Sequence, residues 1–354
     1  MRSARPRYAN RPAHRRPCPA FMDAVRAGPL GEPLGRHMLR PVTVLMAVYQ
    51  PPLKMLADAV ESILAQTHRD FEFLIIDDGS EQPELSRRLE QYAHQDSRIQ
   101  LAREPHRGLT GSLNRGLDMA ASEWIARQDA DDWSAPTRLE RQLAFCTAHP
   151  DTGVVGCDAW THQEDGTRLW RLRLPRTRPE ILARFPGGNP FVHGAVMFRR
   201  SAATAEAGYR EVFRCSQDYD LFWRMAENYG AANLAEPLYH YRYTRGSISA
   251  GRALEQMAAH AAIRRLGEAR AHGQVEDPPA ALAWAEEHVE EGSGLCRAVL
   301  KQADHRMLAG DYRGAARAYW ELLAAHPLNP LGWGKLARLG VFQAAPFLRE
   351  ACFR

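Results

Sequence analysis

At 354 residues, with 45% hydrophobic and 25% charged side chains, the chain has the size and composition of a soluble globular protein, with a main domain of about 200 residues or more and a smaller unit. Its formal net charge of +4 is local, because residues 1–40 hold nine Arg against Asp23 and Glu32 and the remainder is slightly acidic. This excludes the basic folded face that a nucleic-acid-binding domain carries, and without a run of about 18 apolar residues no membrane-spanning helix is expected.

Residues 1–38 are rich in Arg, Pro and Gly without periodicity and read as a disordered tail, with Met38 or Met22 as the expected translation start. No secretory apolar region precedes Thr43. The six cysteines (Cys18, Cys146, Cys157, Cys215, Cys296, Cys352) are scattered without a Cys-x-x-Cys pair and read as reduced thiols of a cytosolic protein.

Residues 42–48 form an apolar run suited to a buried strand, and Leu53, Leu56, Val60, Ile63 and Leu64 then recur at helical spacing. Strands over 71–76, 99–103 and 124–128 follow, separated by a polar helix over 83–94 and a helix carrying Leu109, Leu113 and Leu117. Such alternation predicts an α/β fold with a mostly parallel sheet, helices on both faces and ligands at the carboxyl ends of the strands. After a helix over 136–149, strands are expected over 153–157, 168–174, 191–198 and 234–243, with a helix opening at Gln217-Asp218-Tyr219-Asp220 and a loop over 244–249. From Gly251 the chain is Ala-rich and helical, with a break at 277–279. Residues 295–326 resemble one tetratricopeptide hairpin turning at Gly310-Asp311-Tyr312; a single unit cannot bury its face, so it packs on the catalytic part or on a partner.

The chemistry gathers at the strand ends. Tyr49 follows the first strand and leads into Gln50-Pro51-Pro52 instead of a Gly-x-Gly-x-x-Gly turn, which argues against dinucleotide binding because prolines offer no N–H to a phosphate. Tyr49 either stacks on a nucleobase or packs at the strand end. Asp77-Asp78 closes the second strand, where a carboxylate accepts a base N–H or ribose hydroxyl, or makes an Asx turn with Gly79. Asp129, Asp131 and Asp132 fall within four residues after the fourth strand; three such anions repel, and a divalent cation among them explains the cluster. The alternative is that Asp132 or Ser134 caps a helix opening at Pro136. Asp218 is either a helix cap or a base for a hydroxyl proton.

Pro41 to Tyr49, Ile76-Asp77-Asp78-Gly79-Ser80, Gly108-Leu109 with Leu113-Asn114-Arg115-Gly116, Ala126 to Asp132, Asn189 to His193 and Gln217 to Leu221 together resemble the ordered motifs of family 2 glycosyltransferases, over residues 41–249. The resemblance implies a GT-A fold and inverting transfer from a nucleotide-diphosphate sugar, UDP-linked in the first instance. The acceptor would be a glycan or lipid-linked molecule of a surface polysaccharide, and the cofactor Mn²⁺ or Mg²⁺. It assigns Tyr49 and Asp78 to the base with Asp77 nearby, Asp129 to ribose or metal, Asp131 to the metal bridging the diphosphate, and Asp218 to the general base; Asp132 keeps the capping role. His193, Arg242, Arg245 and Ser247 are candidates for diphosphate or acceptor contacts, with a structural His and a solvated basic loop as alternatives.

Three positions depart from the family pattern: Gln217 for the usual Glu, His106 for a frequent Asn, and Thr244 for a His that completes the metal shell, for which His193 or His240 are substitutes. The expected organisation is a tail over 1–38, a GT-A domain over 39–250 and a helical region over 251–354. The expected location is the cytoplasm, with peripheral contact at the inner membrane face. Two other classes remain: a catalytically silent nucleotide-sugar-binding module, and a sugar nucleotidyltransferase, the latter disfavoured by Gln50-Pro51-Pro52 in place of a Gly-rich phosphate loop.

Overall fold

The computed structural model describes residues 40–247, 251–290, 294–327 and 329–344. The expected tail over 1–38, Cys18, Cys352 and the end of the 244–249 loop lie outside the described residues.

Strands β1 (Val42–Val48), β2 (Phe71–Asp77), β3 (Ile99–Arg103) and β4 (Trp124–Arg127) are parallel, and they alternate with helices α1 (Leu53–Leu64), α2 (Pro83–Gln95) and α3 (Gly108–Met119). The two-residue period of a strand sorts their apolar side chains to opposite faces. Val42, Val44, Met46 and Val48 pack with Leu56, Val60 and Ile63 of α1, Leu85 and Leu89 of α2, and Leu139 of α4 (Arg138–Ala148). Leu45, Leu74, Ile76 and Ile125 face the other way, onto Leu113 and Leu117 of α3. Both faces are therefore covered, which is why these strands read as near-continuous apolar runs.

The second half adds β5 (Trp133–Ser134), β6 (Thr152–His162), β7 (Arg168–Leu172), β8 (Met197–Arg199) and β9 (Gly230–Arg242). Among the described residues the sheet runs β3-β2-β1-β4-β8-β6-β9-β5, with β7 paired to β6. β8 is antiparallel to β4 and β6, and β5 to β9. The helices here are α5 (Arg178–Arg184), α6 (Arg200–Ala205) and α7 (Gln217–Asn228), the last joining the α3 side of the core through Leu221, Phe222 and Met225.

The strand expected over 191–198 is shorter: His193–Ala195 is a 3-10 turn and only Met197–Arg199 is extended. The reason lies in α4, whose buried Arg138 donates from Nη1 to the Gly194 carbonyl (2.5 Å) while Gln142 donates to the Ala195 carbonyl (2.8 Å). Side chains thus take the carbonyls that a neighbouring strand would have used. The helix expected from Pro136 starts at Arg138, with Thr137 at its cap.

The C-terminal part comprises α8 (Ala253–Ala271), α9 (Pro278–Glu290), α10 (Gly294–Leu308), α11 (Tyr312–Ala325) and α12 (Pro330–Ala344). Ala258, Ala259, Ala262, Ile263 and Leu266 of α8 enter the core shared with α7. The α10–α11 hairpin buries Met307, Ala315, Tyr319 and Leu322 against Leu169, Trp170 and Tyr243 of the sheet domain, with Leu339 of α12, inside the expected helical region, in the same cluster. No helix among the described residues is long and apolar enough to cross a membrane.

Candidate active site

The carboxyl ends of β1, β2 and β4 bring Tyr49, Asp77, Asp78 and Asp129 to one edge of the sheet. Tyr49 is half exposed and its ring stacks on His106 at 4.2 Å between centroids, so the two make an aromatic platform. Asp77 and Asp78 are buried. Asp77 accepts the Ser80 N–H at 3.1 Å, three residues on and so one residue beyond an Asx turn, across Gly79 with its positive φ (+74°), and Arg103 stands 3.9 Å away. Both oxygens of Asp78 are engaged at the start of α3: Oδ1 by the Arg107 N–H (2.7 Å) and Oδ2 by the Gly108 N–H (3.0 Å), with His106 Nδ1 also 3.0 Å from Oδ2.

The second acidic cluster is held differently. Asp129 accepts from Arg127 Nη2 at 2.6 Å, and the guanidinium of Arg127 is buried and also donates to the Leu45 carbonyl. Asp131 accepts from the Thr244 hydroxyl at 3.2 Å. Its pKa is pushed up to about 6, first by burial and then by the charge of Asp129. Asp132 does not cap α4. It is buried and reaches across to β9, where Oδ1 accepts the Arg242 N–H at 2.6 Å; Oδ2 makes no hydrogen bond of normal geometry among the described residues, and burial followed by the Asp131 charge raises its pKa well above the usual range, the nearby Tyr239 hydroxyl opposing the shift. The cap expectation failed because β5 pairs with β9 and places Asp132 beside a backbone N–H more than 100 residues away.

Asp218 is the second residue of α7, one place inside the helix, after Ser216 in the left-handed region (φ +60°). Its Oδ2 accepts from Asn189 Nδ2 at 2.7 Å. Gln217 is buried, and its Oε1 has no hydrogen-bond partner among the described residues. His193 is half-buried, with Nε2 3.2 Å from the Tyr209 hydroxyl. Burial lowers its pKa first, then the Arg127 charge, while Asp218 and Asp129 oppose the shift, so the ring feels both carboxylates. Gly194 beside it admits no side chain: an added Cβ would stand 2.0 Å from the Tyr239 hydroxyl and 2.6 Å from Asp129 Oδ2.

The basic candidates are already engaged. The Arg242 guanidinium donates to Asp58 (2.8 Å) and lies over the Trp133 ring (4.6 Å), so a diphosphate contact requires it to leave both. Arg245 is exposed and pairs with Glu164 at 3.2 Å, and the Ser247 hydroxyl lies 2.9 Å from His305 Nε2. His240 stacks on Trp133 and its Nδ1 is 3.0 Å from His162 Nε2. Among the described residues, no group of three or more His, Cys, Asp or Glu converges on a common metal position. Sequence reasoning passed over Arg127, Arg138, Tyr209 and Tyr239. The available signal was Arg127, a cation closing an apolar strand directly before the carboxylates.

A mostly parallel α/β sheet with carboxylates at the ends of β2 and β4, joined by a carboxylate at the start of α7, is a GT-A fold. The mannosyltransferase PcManGT from Pyrobaculum calidifontis, solved in complex with GDP-Man and Mn²⁺, shares it with a TM-score of 0.51 at 16% identity, over 89% of this chain and 88% of that one. Residues 43–206 match the family described as Glycosyl transferase family 2. The putative glycosyltransferase EpsE of Bacillus subtilis (strain 168) is 38% identical over 205 residues, 57% of this chain and 72% of the relative. The O-antigen biosynthesis glycosyltransferase WbnJ of Escherichia coli is 32% identical over 209 residues, 58% of this chain and 81% of that protein. The chain belongs to glycosyltransferase family 2.

Proposed function

We propose that this glycosyltransferase is inverting and metal-dependent, with residues 39–250 as the catalytic domain and 251–354 as a helical region packed on it. It transfers a sugar from a nucleoside-diphosphate donor, UDP-linked in our reading, to a glycan or lipid-linked acceptor in cell-surface polysaccharide synthesis. The O-antigen role in the name of the WbnJ relative supports the pathway class. The buried free thiols Cys146, Cys157 and Cys215 support a cytoplasmic location, at the inner face of the membrane where lipid-linked acceptors lie.

The observation that carries this reading is the charge deficit at Asp131, which faces Asp129 with one hydroxyl as its side-chain donor among the described residues. An acid pushed up to about 6 by burial and a like charge is a group short of a cation. The donor set fits a hard divalent ion: Asp131 and Asp129 would hold it, with the Thr244 hydroxyl adjacent. Bound there, the metal supplies Lewis-acid neutralisation of the departing diphosphate. The remaining steps belong to the chain. Tyr49 and His106 stack on the base, and Asp77 and Asp78 shape the turn beside it. Asn189 holds one oxygen of Asp218, which leaves the other to accept the proton of the acceptor hydroxyl as it attacks the anomeric carbon. His193, between Asp129 and Asp218, is positioned to contact the donor sugar or the diphosphate.

The test is Asp218→Asn. It keeps size and the Asn189 contact but cannot take a proton, so transfer should fall by about 10²–10⁴-fold while calorimetry shows nucleotide binding retained. Normal turnover would remove Asp218 as the base. Failure of the wild-type protein to release nucleoside diphosphate from any sugar nucleotide in the presence of Mn²⁺ would favour a silent binding module.

A further inference from the structure

We propose that His305, on α10 of the helical region, is a positioning residue for the metal site: it braces the segment after β9 so that Thr244 stands against Asp131. The inference rests on the metal-site reading above.

The geometry forms a relay through one residue. Beyond Arg242 the chain leaves the sheet, and Thr244, only 7% exposed, sends its hydroxyl to Asp131 Oδ2 at 3.2 Å. The carboxylate accepts, so the hydroxyl donates. The carbonyl of the same residue meets His305 Nε2 at 2.8 Å, and that nitrogen also lies 2.9 Å from the Ser247 hydroxyl. A carbonyl can only accept, so Nε2 carries the proton and its single N–H is shared between the Thr244 carbonyl and the Ser247 oxygen. His305 is itself buried at 6% exposure, with the Tyr243 ring edge-on at 5.4 Å.

Two further links join the same segment and the same helices to the end of β6. The Arg245 N–H donates to Glu164 at 3.1 Å, and Gln163 Nε2 donates to the Tyr312 hydroxyl at 2.8 Å. The segment is thus bonded on one side to the acidic cluster and on the other to a helix 61 residues further along the chain. Holding a loop in one conformation costs entropy at every residue, and a contact made before ligand arrives removes that cost from the binding step. The Thr244 hydroxyl can orient Asp131 only while its own backbone is held in place, which gives the helical region a part in the site through Thr244.

The experiment uses the full-length chain and Mn²⁺ as probe, with free Mn²⁺ counted by electron paramagnetic resonance so that the readout does not depend on turnover. Asp131→Ala should abolish the tight Mn²⁺ site, which establishes where the ion sits. His305→Leu should weaken Mn²⁺ binding roughly tenfold, the size expected for losing a buried hydrogen bond and the order it imposes. It should raise the KM for the nucleotide donor with a smaller change in kcat. His305→Gln, whose amide N–H reaches about as far as Nε2, should restore most of the affinity. Should His305→Leu give no cooperative melt, His305→Asn, which stays polar but stops short of the Thr244 carbonyl, takes its place. Unchanged Mn²⁺ affinity in the Leu or Asn variant, with Asp131→Ala defective, overturns the brace and leaves the metal site standing. Equal losses in the Leu and Gln variants also overturn it, because the ring would then act by filling space. Normal Mn²⁺ binding by Asp131→Ala overturns the metal-site reading and this inference together.

Discussion

Two acidic clusters sit at the ends of β2 and β4, the strands that flank β1 on either side. Asp77 and Asp78 are matched: a turn N–H and Arg103 serve the first, and two N–H groups at the start of α3 together with His106 serve the second. Asp129, Asp131 and Asp132 are not matched. Among the described residues Arg127 serves Asp129, one hydroxyl serves Asp131, and the Arg242 N–H serves one oxygen of Asp132 while the other makes no hydrogen bond of normal geometry. The residue type and the position at a strand end are the same in both clusters. What differs is the number of donors, and that deficit, more than the presence of acids, is what the proposed cation site rests on. The first cluster shapes the loop that carries His106, beneath Tyr49.

The contrast is broken most directly at Asp131. Asp131→Ala should cut metal-dependent transfer by about 100-fold or more, since a lost Lewis-acid site costs several kcal/mol of transition-state stabilisation. The metal-free protein should melt no lower than wild type, because a buried like-charge repulsion has been removed. A melting point lowered as far as that of an Asp78 variant would show that the two clusters are built alike.

Asp78→Ala should do the opposite. Losing a buried carboxylate that accepts two backbone N–H groups costs about 3 kcal/mol, which lowers the melting point on the order of 6–12 °C, while the melting-point gain on adding Mn²⁺ stays intact. Thermal melts with and without metal read both quantities. A vanished Mn²⁺ response would move part of the metal site to β2.

Asp132→Asn tests the milder side of the deficit. The amide keeps an oxygen for the Arg242 N–H and discards a charge that burial and Asp131 oppose. Stability at neutral pH should stay within about 1 kcal/mol of wild type or rise. A loss above about 2 kcal/mol in denaturant titration would mean that Asp132 is ionised and compensated after all.

This division also sets how much could be read from the sequence. The runs that became β1, β2 and β4 carry their apolar code locally, so the strand ends and the residues on them, Tyr49, Asp77, Asp78 and Asp129, could be placed from periodicity alone. The second half depends on partners far along the chain. The turn at His193–Ala195 exists because Arg138 and Gln142 take its carbonyls, from more than 50 residues away. The two-residue β5 and the bond from Asp132 to the Arg242 N–H follow from pairing with β9, and the Arg242 guanidinium is held by Asp58, 184 residues earlier. No local pattern encodes such pairings. A helix cap was therefore the natural reading of Asp132. The buried cations Arg127 and Arg138 were missed for the same reason: composition counts a charge without showing that a core will close over it.

The smallest effect concerns the wall behind the second cluster. Trp133, next to Asp132, is stacked on by His240 at 4.8 Å with the rings 9° from parallel, and His240 in turn meets His162. Burial lowers the His240 pKa to about 4, and the charges of His162 and Arg168 add to the shift. A ring that is neutral in the fold but titrates near 6.5 in the unfolded chain contributes stability that is complete above about pH 6.5 and is lost as pH falls towards 4, because the unfolded state binds the proton first. The metal-free protein should therefore lose on the order of 2–4 °C more than a His240→Gln variant between pH 6.5 and 4.5, the Gln amide still meeting His162 but carrying no titration. Parallel melting profiles would mean that water reaches this ring. The carboxylates in front of it would then be better solvated than their donor deficit implies, and the contrast between the clusters would narrow.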